Sequence, residues 1–305
     1  MTHNISCGIC GRSPAFYHRP YEGTTLCKRC FKKNIERKVR KTISKYKMFS
    51  PEDHIGVAVS GGKDSLTLLY ILNRIEEEYP KARLTALAVD EGIKGYREEA
   101  LRLARSFTAK LRIDLKTISF KELYGETLDE IVHSRDVRFP CSYCGVLRRK
   151  ALEELASRAG VDKIATAHNL DDEAQTVILN IIHGNPLRIL LTKPTLNGDR
   201  LFVKKVKPFI LIPEKEISLY AYLMGIPFQK APCPYASTAL RNDVRAMLNL
   251  IEEEHPGTLY TIIRSAEKLR EAASASFLKK VLRCSICGSP STSEICSACK
   301  LIKTN

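Results

Sequence analysis

Cysteine spacing constrains this chain more than any other feature of its sequence. Ten of the eleven cysteines form five Cys-x-x-Cys pairs, and Cys233 stands alone. The residues after Met1 lead into the first pair and not into an apolar stretch, so we expect no signal peptide. In a reducing compartment such pairs are metal ligands more often than disulfides. The sequence therefore predicts a cytoplasmic protein with several metal sites.

The pairs near the two ends of the chain group into two sets of four. Sixteen residues separate Cys10 from Cys27, and eight separate Cys287 from Cys296. Both spacings suit four-cysteine zinc sites, and four thiolates close a tetrahedron, so we expect two structural Zn²⁺ ions. Pairs of redox-active dithiols are the alternative. The expected ligands are Cys7, Cys10, Cys27 and Cys30 in the first site, and Cys284, Cys287, Cys296 and Cys299 in the second.

Three cysteines remain after these quartets, and three thiolates cannot close a tetrahedral site. Cys141, Cys144 and Cys233 can hold a cubane iron–sulfur cluster with one iron open, or zinc with water in the fourth position. They can also form a persulfide relay without any metal. In the plainest alternative, Cys233 is an ordinary buried cysteine and only the pair has a chemical role.

Between the terminal quartets, short apolar segments alternate with helical ones. Strands that are apolar throughout and separated by helices indicate βαβ units and a buried parallel sheet, so the predicted fold class is α/β with a doubly wound parallel sheet. An irregular stretch with an edge hairpin follows at 185–212, and helices continue from 213 to about 282. The expected strands are 55–59, 84–89, 115–118 and 164–167, the expected helices are 66–79, 96–110, 121–133 and one from 171, and the hairpin is expected near 200–206.

These patterns predict five parts along the chain. The parts are an N-terminal zinc module at 1–32, a basic linker helix at 33–50, the sheet domain at 51–212, a helical extension with Cys233 at 213–282, and a C-terminal zinc module at 283–305.

Charge points to a polyanionic partner. Lys and Arg number 49 against 34 acidic residues, which gives a net charge of +15, and nucleic acid is the simplest partner for such a protein. A merely soluble basic protein is the alternative. Residues 28–47 carry ten Lys or Arg against one Glu, with Ile35, Val39 and Ile43 at helical spacing. This pattern predicts a basic amphipathic helix, which is either a surface for a phosphate backbone or a solvated face. No run of 18 apolar residues exists, so no membrane span is expected.

The hexapeptide Ser60–Ser65 follows the first predicted strand and leads into a helix. Its two adjacent glycines let backbone amides approach an anion, and the following helix N-terminus adds a positive dipole. Adjacent glycines and an Asp after the Lys distinguish it from the phosphate loop of kinase-like NTPases and from the dinucleotide-binding motif. In an open parallel sheet, ligands bind at this carboxyl edge. The motif therefore predicts a phosphate-binding loop.

Ser-Gly-Gly-Lys-Asp-Ser resembles the PP-loop of the ATP pyrophosphatases, whose fold is adenine nucleotide alpha hydrolase-like. Within that superfamily the chain resembles the tRNA 2-thiouridine synthetases, above all the archaeal and eukaryotic branch (the cytoplasmic tRNA 2-thiolation proteins) that thiolates the wobble uridine. A sister branch thiolates the T-loop ribothymidine and usually ends its first zinc module in Cys-x-x-His, where this chain has Cys30. The matching stretches are 89–97, 141–149, 168–172 and 232–236.

The resemblance implies which residues bind ATP. Loop amides and hydroxyls hold the phosphates, with Lys63 as the counter-charge, and Asp172 holds Mg²⁺ or orients pyrophosphate, unless it is only a helix cap paired with Gln175. Arg148, one helical turn after Cys144, neutralises the α-phosphate or simply faces solvent. The expected catalytic residues are Lys63, Asp64, Arg148 and Asp172. The expected ATP-binding residues are Ala58, Ser60, Gly61, Gly62, Lys63, Asp64, Ser65, Val89, Arg148, Ala167 and Asp172.

The resemblance also implies the reaction and its partners. ATP with Mg²⁺ would adenylate the C2 oxygen of a tRNA uridine, and a [4Fe-4S] cluster on Cys141, Cys144 and Cys233 would supply hydrosulfide from its open iron without a redox step. The expected partners are tRNA, a sulfur donor (a thiocarboxylated ubiquitin-like carrier or sulfide) and a second copy in a homodimer. Two alternatives keep part of this description: a PP-loop tRNA ligase without sulfur transfer, and a non-catalytic zinc-module scaffold that binds RNA.

Overall fold

The computed structural model describes residues 5–135, 137–185, 188–189, 195–196, 202–236, 240–272, 282–291 and 293–303. The chain begins with a small module in which strands β1 (Tyr17–Arg19) and β2 (Thr24–Leu26) pair antiparallel. Helix α1 (Lys28–Lys45) follows directly, with Cys27 as its N-cap. Phe31, Ile35 and Val39 line the buried side of α1, so the predicted amphipathic helix is confirmed.

A six-stranded sheet lies at the centre of the protein. Its order is β5-β4-β3-β6-β8-β7, and every neighbouring pair is parallel except β7 with β8. The chain starts in the middle of the sheet, runs to one edge, and returns to the other side of β3. The order therefore changes direction between β3 and β6, where a ligand crevice forms in sheets of this kind. The strands are β3 (His54–Ala58), β4 (Arg83–Asp90), β5 (Asp114–Ser119), β6 (Lys163–Ala165), β7 (Thr195–Leu196) and β8 (Lys204–Val206).

Helices cover both faces of this sheet. Successive strand residues face opposite sides, so Ala86 and Ala88 of β4 join one core, while Leu87 and Val89 join another. The first core contains α2 and α8, and the second contains α6, which confirms the doubly wound α/β prediction. The helices are α2 (Lys63–Glu76), α3 (Arg97–Leu111), α4 (Phe120–Tyr124), α5 (Leu128–Ser134), α6 (Pro140–Arg158), α7 (Leu170–Ile182), α8 (Glu214–Met224), α9 (Leu240–Glu254) and α10 (Thr258–Ala272).

Three local predictions differ from the structure. The single helix expected at 121–133 is two helices, α4 and α5, because Gly125 adopts a left-handed conformation with φ of 80° and ends α4. The edge hairpin exists but starts earlier, since β7 lies at 195–196 and part of the expected 200–206 stretch is outside the described residues. The helical region after 213 is interrupted from Gly225 onward, and Cys233 lies in that interruption.

The terminal modules dock on opposite faces of the sheet domain. On one face, the fully buried Arg19 donates to both carboxylate oxygens of the equally buried Glu216 in α8, at 2.7 and 2.8 Å. On the other, the C-terminal module, formed by β9 (Leu282–Arg283), β10 (Pro290–Ser291) and α11 (Ser297–Lys303), packs against α6. None of the helices in the described ranges is long and apolar enough to cross a membrane.

Candidate functional site

The N-terminal quartet is assembled as predicted. The sulfurs of Cys7, Cys10, Cys27 and Cys30 all lie within 4.8 Å of one another, and those of Cys10 and Cys27 are 3.8 Å apart. A turn closed by the Gly11 amide on the Cys7 carbonyl, at 2.8 Å, presents the first pair. The second pair sits at the start of α1, where the Cys30 amide donates to the Cys27 sulfur. This geometry suits one tetrahedrally bound ion.

The C-terminal quartet is assembled in the same way and has a cationic neighbour. Cys284, Cys287, Cys296 and Cys299 also place their sulfurs within 4.8 Å of one another, with Cys287 and Cys296 at 3.8 Å. Lys150 of α6 donates to the Cys287 sulfur at 2.8 Å. Burial disfavours the Cys287 thiolate, but hydrogen bonds from Lys150 and Ser289 lower the pKa of this thiol to about 5. A thiolate is the form that binds metal.

The hexapeptide Ser60–Ser65 forms a tight turn between β3 and α2. The Ser60 amide donates to the Ser65 hydroxyl at 3.0 Å, and the Gly62 amide donates to the Ser60 hydroxyl. Gly61 has a φ of 83°, and a Cβ there would lie 2.5 Å from the Ala100 carbonyl oxygen. Only glycine meets both conditions, so the sequence requirement at this turn is physical. Gly62 is the N-cap of α2, and the turn therefore ends on a helix N-terminus suited to an anion.

A cluster of carboxylates surrounds Lys63 at this edge of the sheet. Lys63 donates to Asp64 at 3.0 Å and to Glu214 at 2.6 Å, and the Glu214 amide donates to Asp171. Burial raises the pKa of Asp64 and of Asp171 to about 6 each, and the neighbouring carboxylates add to the shift. Asp172 also contributes to the raised pKa of Asp64. Burial and mutual repulsion disfavour the charged forms of these carboxyl groups. A cation bound among them would stabilise those charged forms.

Asp172 does form a helix cap, but in a different register from the expected one. It is the third residue of α7, where its carboxylate accepts from the Asn169 amide at 3.2 Å while its own amide donates to the Asn169 side chain at 2.9 Å. The alternative that paired Asp172 with Gln175 is therefore wrong. The Asn169 side-chain amide also donates to Asp64 at 3.3 Å, so the cap of α7 is joined to the loop. This cap places Asp172 at the carboxyl edge of the sheet, close to the loop Ser60–Ser65.

The remaining expected nucleotide contacts lie along the same edge. Ala58 is the last residue of β3, and Val89 is the residue before the last of β4. Both pack in the core on the α6 side of the sheet. Ala167 follows β6 and packs in the core on the other side. The structure thus brings these three small residues to the ends of adjacent strands.

The three central cysteines form a looser group than the quartets. Cys141 and Cys144 lie in the first turns of α6, and the Cys141 thiol donates to the Tyr235 carbonyl at 3.1 Å, next to Cys233. Cys141 and Cys233 both raise the pKa of Cys144, and Cys141 also raises that of Cys233. Burial raises the pKa of Cys144 to about 12, although the charge of Arg148 opposes this. Among the described residues, no third set of cysteines has all its sulfurs within 4.8 Å of one another.

Arg148 lies beside this cysteine group, as its position one turn after Cys144 predicts. Its side chain is 55% exposed, and its closest acidic neighbour in an ion pair is Glu91 at 3.7 Å. The charges of Cys144 and Glu91 outweigh the effect of burial and raise the pKa of the Arg148 guanidinium. An arginine that is exposed and held by a carboxylate is available to an anionic ligand.

Sequence reasoning missed four residues that join these parts. Glu91 and Arg97 form a buried ion pair at 2.9 Å, and Arg97 donates to the Ser60 carbonyl at 2.6 Å. Gln229 lies four residues before Cys233 in the sequence, and its backbone amide donates to the Gly61 carbonyl at 3.1 Å. Glu214 pairs with Lys63. The only signal available was the position of Glu91 and Arg97 within a stretch that carries the family resemblance, since the other two contacts join distant parts of the chain.

A separate cavity lies away from the loop and the central cysteines. It has a volume of about 1180 Å³ and is lined by residues of α1, α7 and α10, such as Lys41, Ile178 and Tyr260. No residue of the loop or of the central cysteine group lines it. This cavity is therefore separate from the site formed by the loop and the cysteine group.

Two known protein families match successive parts of this chain. Residues 31–252 match the PP-loop domain family, and residues 6–32 match a module described as "2-thiouridine synthetase TtuA, N-terminal LIM domain". The protein is thus a PP-loop protein with a four-cysteine module in front of the nucleotide domain. The chain belongs to the PP-loop tRNA 2-thiouridine synthetases, a family of sulfurtransferases, as its full-length relatives show.

These relatives cover almost the whole chain. A "Probable sulfurtransferase" of Methanocaldococcus jannaschii is 41% identical over 98% of this chain and 87% of its own length. "Cytoplasmic tRNA 2-thiolation protein 1" of Chlamydomonas reinhardtii is 38% identical over 97% of this chain and 84% of its own. Among solved structures, the "U34-tRNA thiolase NcsA from Methanococcus maripaludis with its [4Fe-4S] cluster" is 37% identical, has a TM-score of 0.86, and covers 99% of this chain and 96% of its own.

Proposed function

We propose that this protein catalyses ATP-dependent, non-redox 2-thiolation of the wobble uridine in tRNA. The observation that carries the proposal is the placement of a three-cysteine group next to a PP-loop, joined to it through Arg148, Glu91 and Arg97. The end-to-end similarity to a protein described as a U34-tRNA thiolase supports wobble uridine over the T-loop alternative. Cys30 in place of a histidine supports the same branch.

The loop and its neighbours would hold ATP with Mg²⁺. Amides and hydroxyls of Ser60–Ser65 would bind the phosphates, and Lys63 would leave Glu214 or share its charge between that carboxylate and a phosphate. Asp172 lies close enough to Asp64 to raise the pKa of that carboxyl, and the two side chains offer oxygen ligands to Mg²⁺. Ala58, Val89 and Ala167 at the strand ends would border the nucleotide.

The first chemical step would be adenylation of the base. The uridine C2 oxygen attacks the α-phosphorus, a new P–O bond forms, and the bond to pyrophosphate breaks with its electron pair leaving on pyrophosphate. Arg148 would stabilise the negative charge on the α-phosphate during this step. A sulfur nucleophile then attacks C2, and the C–O bond to AMP breaks. The base must leave the anticodon stack to reach these groups.

Cys141, Cys144 and Cys233 fit a [4Fe-4S] cluster by number and setting. All eleven cysteines of the chain are described, and eight of them belong to the quartets, so three thiols and no fourth are left for this group. A cubane is larger than a single ion, and its ligand sulfurs lie further apart than those of a zinc site. When bound, the cluster would supply an open iron site for sulfide. The three cysteines would hold the cluster, and neighbouring residues of the protein would orient Arg148 toward the substrate.

The two quartets would hold structural zinc. Tetrahedral coordination with Zn–S bonds of about 2.3 Å separates the sulfurs by about 3.8 Å. The Cys10–Cys27 and Cys287–Cys296 sulfur distances are 3.8 Å in the structure, which supports this assignment. We expect about two zinc ions and about four iron atoms per chain after anaerobic purification, measured by elemental analysis with a sulfide assay.

The partners follow from this activity. tRNA is the substrate, a thiocarboxylated carrier or sulfide is the sulfur donor, and the enzyme would work as a homodimer in the cytoplasm. Similarity to a relative named cytoplasmic tRNA 2-thiolation protein 1 supports the tRNA substrate and the compartment.

A thiolation assay tests the proposal. Purified protein, ATP, Mg²⁺ and sulfide are incubated with a tRNA transcript that has uridine at position 34, and with a matched transcript that has cytidine there. We expect 2-thiouridine by mass spectrometry only in the first. Cys233→Ala should abolish thiolation and leave tRNA binding intact; an ATP-dependent product that survives in this variant would favour the ligase alternative. A wild-type protein that binds tRNA but converts no ATP would favour the scaffold.

A further inference from the structure

Glu91 is a buried carboxylate between two arginines. Its side chain is 7% exposed, and it directly follows the last residue of β4. One oxygen lies 2.9 Å from the Arg97 Nε, and the other lies 3.7 Å from an Arg148 terminal nitrogen. A buried charge of this kind requires partners, and here a single carboxylate serves two cations.

Each arginine reaches a different part of the site. Arg97, itself 6% exposed, donates to the Ser60 carbonyl at 2.6 Å and so fixes the first residue of the PP-loop. Arg148 lies on α6 beside the central cysteine group and is largely exposed. Glu91 is therefore the shared partner of the loop and of the helix that carries Cys141 and Cys144.

The backbone around Glu91 holds it in place. Its carbonyl accepts from the Leu128 amide at 2.7 Å, at the start of α5. Gly92 has a φ of 70°, and a Cβ there would lie 2.5 Å from Thr127. The residue after Glu91 must therefore be glycine in this conformation. A carboxylate fixed at this point can define the direction of both guanidinium groups.

We propose that Glu91 is a positioning residue that aligns the nucleotide loop with the cysteine group by holding Arg97 on one side and Arg148 on the other. The inference rests on the proposed function, because Arg148 is assigned there to the α-phosphate. In this proposal Glu91 contacts the two arginines and not the substrates. It acts through Arg97 on nucleotide binding and through Arg148 on the adenylation step.

This division predicts two separable effects of Glu91→Gln, which preserves the side-chain length and removes the charge. Without its carboxylate Arg148 loses its fixed direction, and we expect the single-turnover rate of thiolation to fall about 100-fold, the typical effect of a 1 Å misplacement. The Kd of a nonhydrolysable ATP analogue should rise about tenfold because the Arg97 contact to the loop weakens. Both quantities are measured on the holoenzyme.

A double-mutant cycle distinguishes positioning from general damage. In an Arg148→Ala background, Glu91→Gln should cause no further loss of rate, but it should still weaken the binding of the ATP analogue. Glu216→Gln is the matched control, since Glu216 is also a buried carboxylate paired with an arginine, on the opposite face of the sheet. This control should change neither the rate nor the Kd per folded molecule, with the folded fraction measured by circular dichroism.

Two results would overturn the inference. One is an equal loss of rate from Glu91→Gln in the wild-type and Arg148→Ala backgrounds. The other is a Glu216→Gln variant whose rate and Kd change as much as those of Glu91→Gln. A wild-type holoenzyme without thiolation activity would instead refute the proposed function, and the Kd measurements would still test the Arg97 side of the inference.

Discussion

Exposed basic residues on α1 follow a four-residue repeat that suits a phosphate backbone. Arg29, Lys33, Arg37 and Lys41 are all exposed, and each is about 6 Å further along the helix axis than the one before. Among the described residues, no hydrogen bond or ion pair engages these four side chains. By contrast, Lys38 donates to Glu22 at 2.7 Å, and Arg40 donates to both oxygens of Glu78. The ten basic residues predicted as one surface thus include an exposed row of four, and at least two others, Lys38 and Arg40, are paired with carboxylates within the protein.

This division predicts different effects from two double variants of equal charge. Lys33→Gln with Arg37→Gln removes two charges from the exposed row, and Lys38→Gln with Arg40→Gln removes two from the occupied residues. Each phosphate contact contributes about 0.7 to 0.9 to the slope of log Kobs against log salt. We therefore expect the first variant to reduce the slope by about 1.4 to 1.8, and the second to leave it nearly unchanged.

The assay is fluorescence anisotropy of labelled tRNA, titrated with each variant over a series of KCl concentrations. Circular dichroism confirms that both variants are folded. Equal reductions of the slope in the two variants would refute the reasoning, because net charge and not position would then determine tRNA binding. An unchanged slope in the first variant would place the RNA on another surface.

Three further predictions concern single residues. Glu216→Gln removes the buried partner of Arg19 and leaves Glu22, whose side chain is 39% exposed, as its counter-charge. We expect the free energy of unfolding to fall by about 3 kcal/mol in urea titrations, at the lower end of the range for a broken buried pair, whereas an unchanged value would mean that the pair contributes nothing. Gly61→Ala should abolish binding of an ATP analogue in calorimetry, because the added Cβ meets the Ala100 backbone, while Gly184→Ala, with φ of 64° and open space, is the control for strain alone. The pKa of Asp64 is raised to about 6 in the folded protein, so the folded state binds the extra proton and stability should fall as the pH rises from about 4 to 6. Asp64→Asn should reduce that fall by about 2 kcal/mol in unliganded protein, and an identical pH profile for the two proteins would contradict the assigned shift.

Much of the fold was predictable because its signals are local. Apolar strands such as 55–59 and the helices between them have sequence periods that follow from backbone geometry, and the paired cysteines come from turns of a few residues. Family membership was also predictable, because the hexapeptide Ser60–Ser65 and the stretches 89–97, 141–149, 168–172 and 232–236 resemble those of a known family. The break of the expected 121–133 helix at Gly125 was harder to predict, because an isolated glycine within a helical pattern is often tolerated.

The contacts of the site itself are of a different kind. Glu214 pairs with Lys63 although 151 positions separate them in the sequence. Gln229 contacts the loop from a segment between two helices. No local pattern encodes such pairs, since they arise only when the sheet order brings the ends of β3, β4 and β6 together. Most of the elements, the cysteine quartets and the phosphate-binding turn could be predicted from the sequence, because each depends on neighbours within a few residues or on a repeated spacing. The position of the buried carboxylate Glu91 between Arg97 and Arg148 could be read from the folded chain alone, because it depends on packing between elements that are far apart in the sequence.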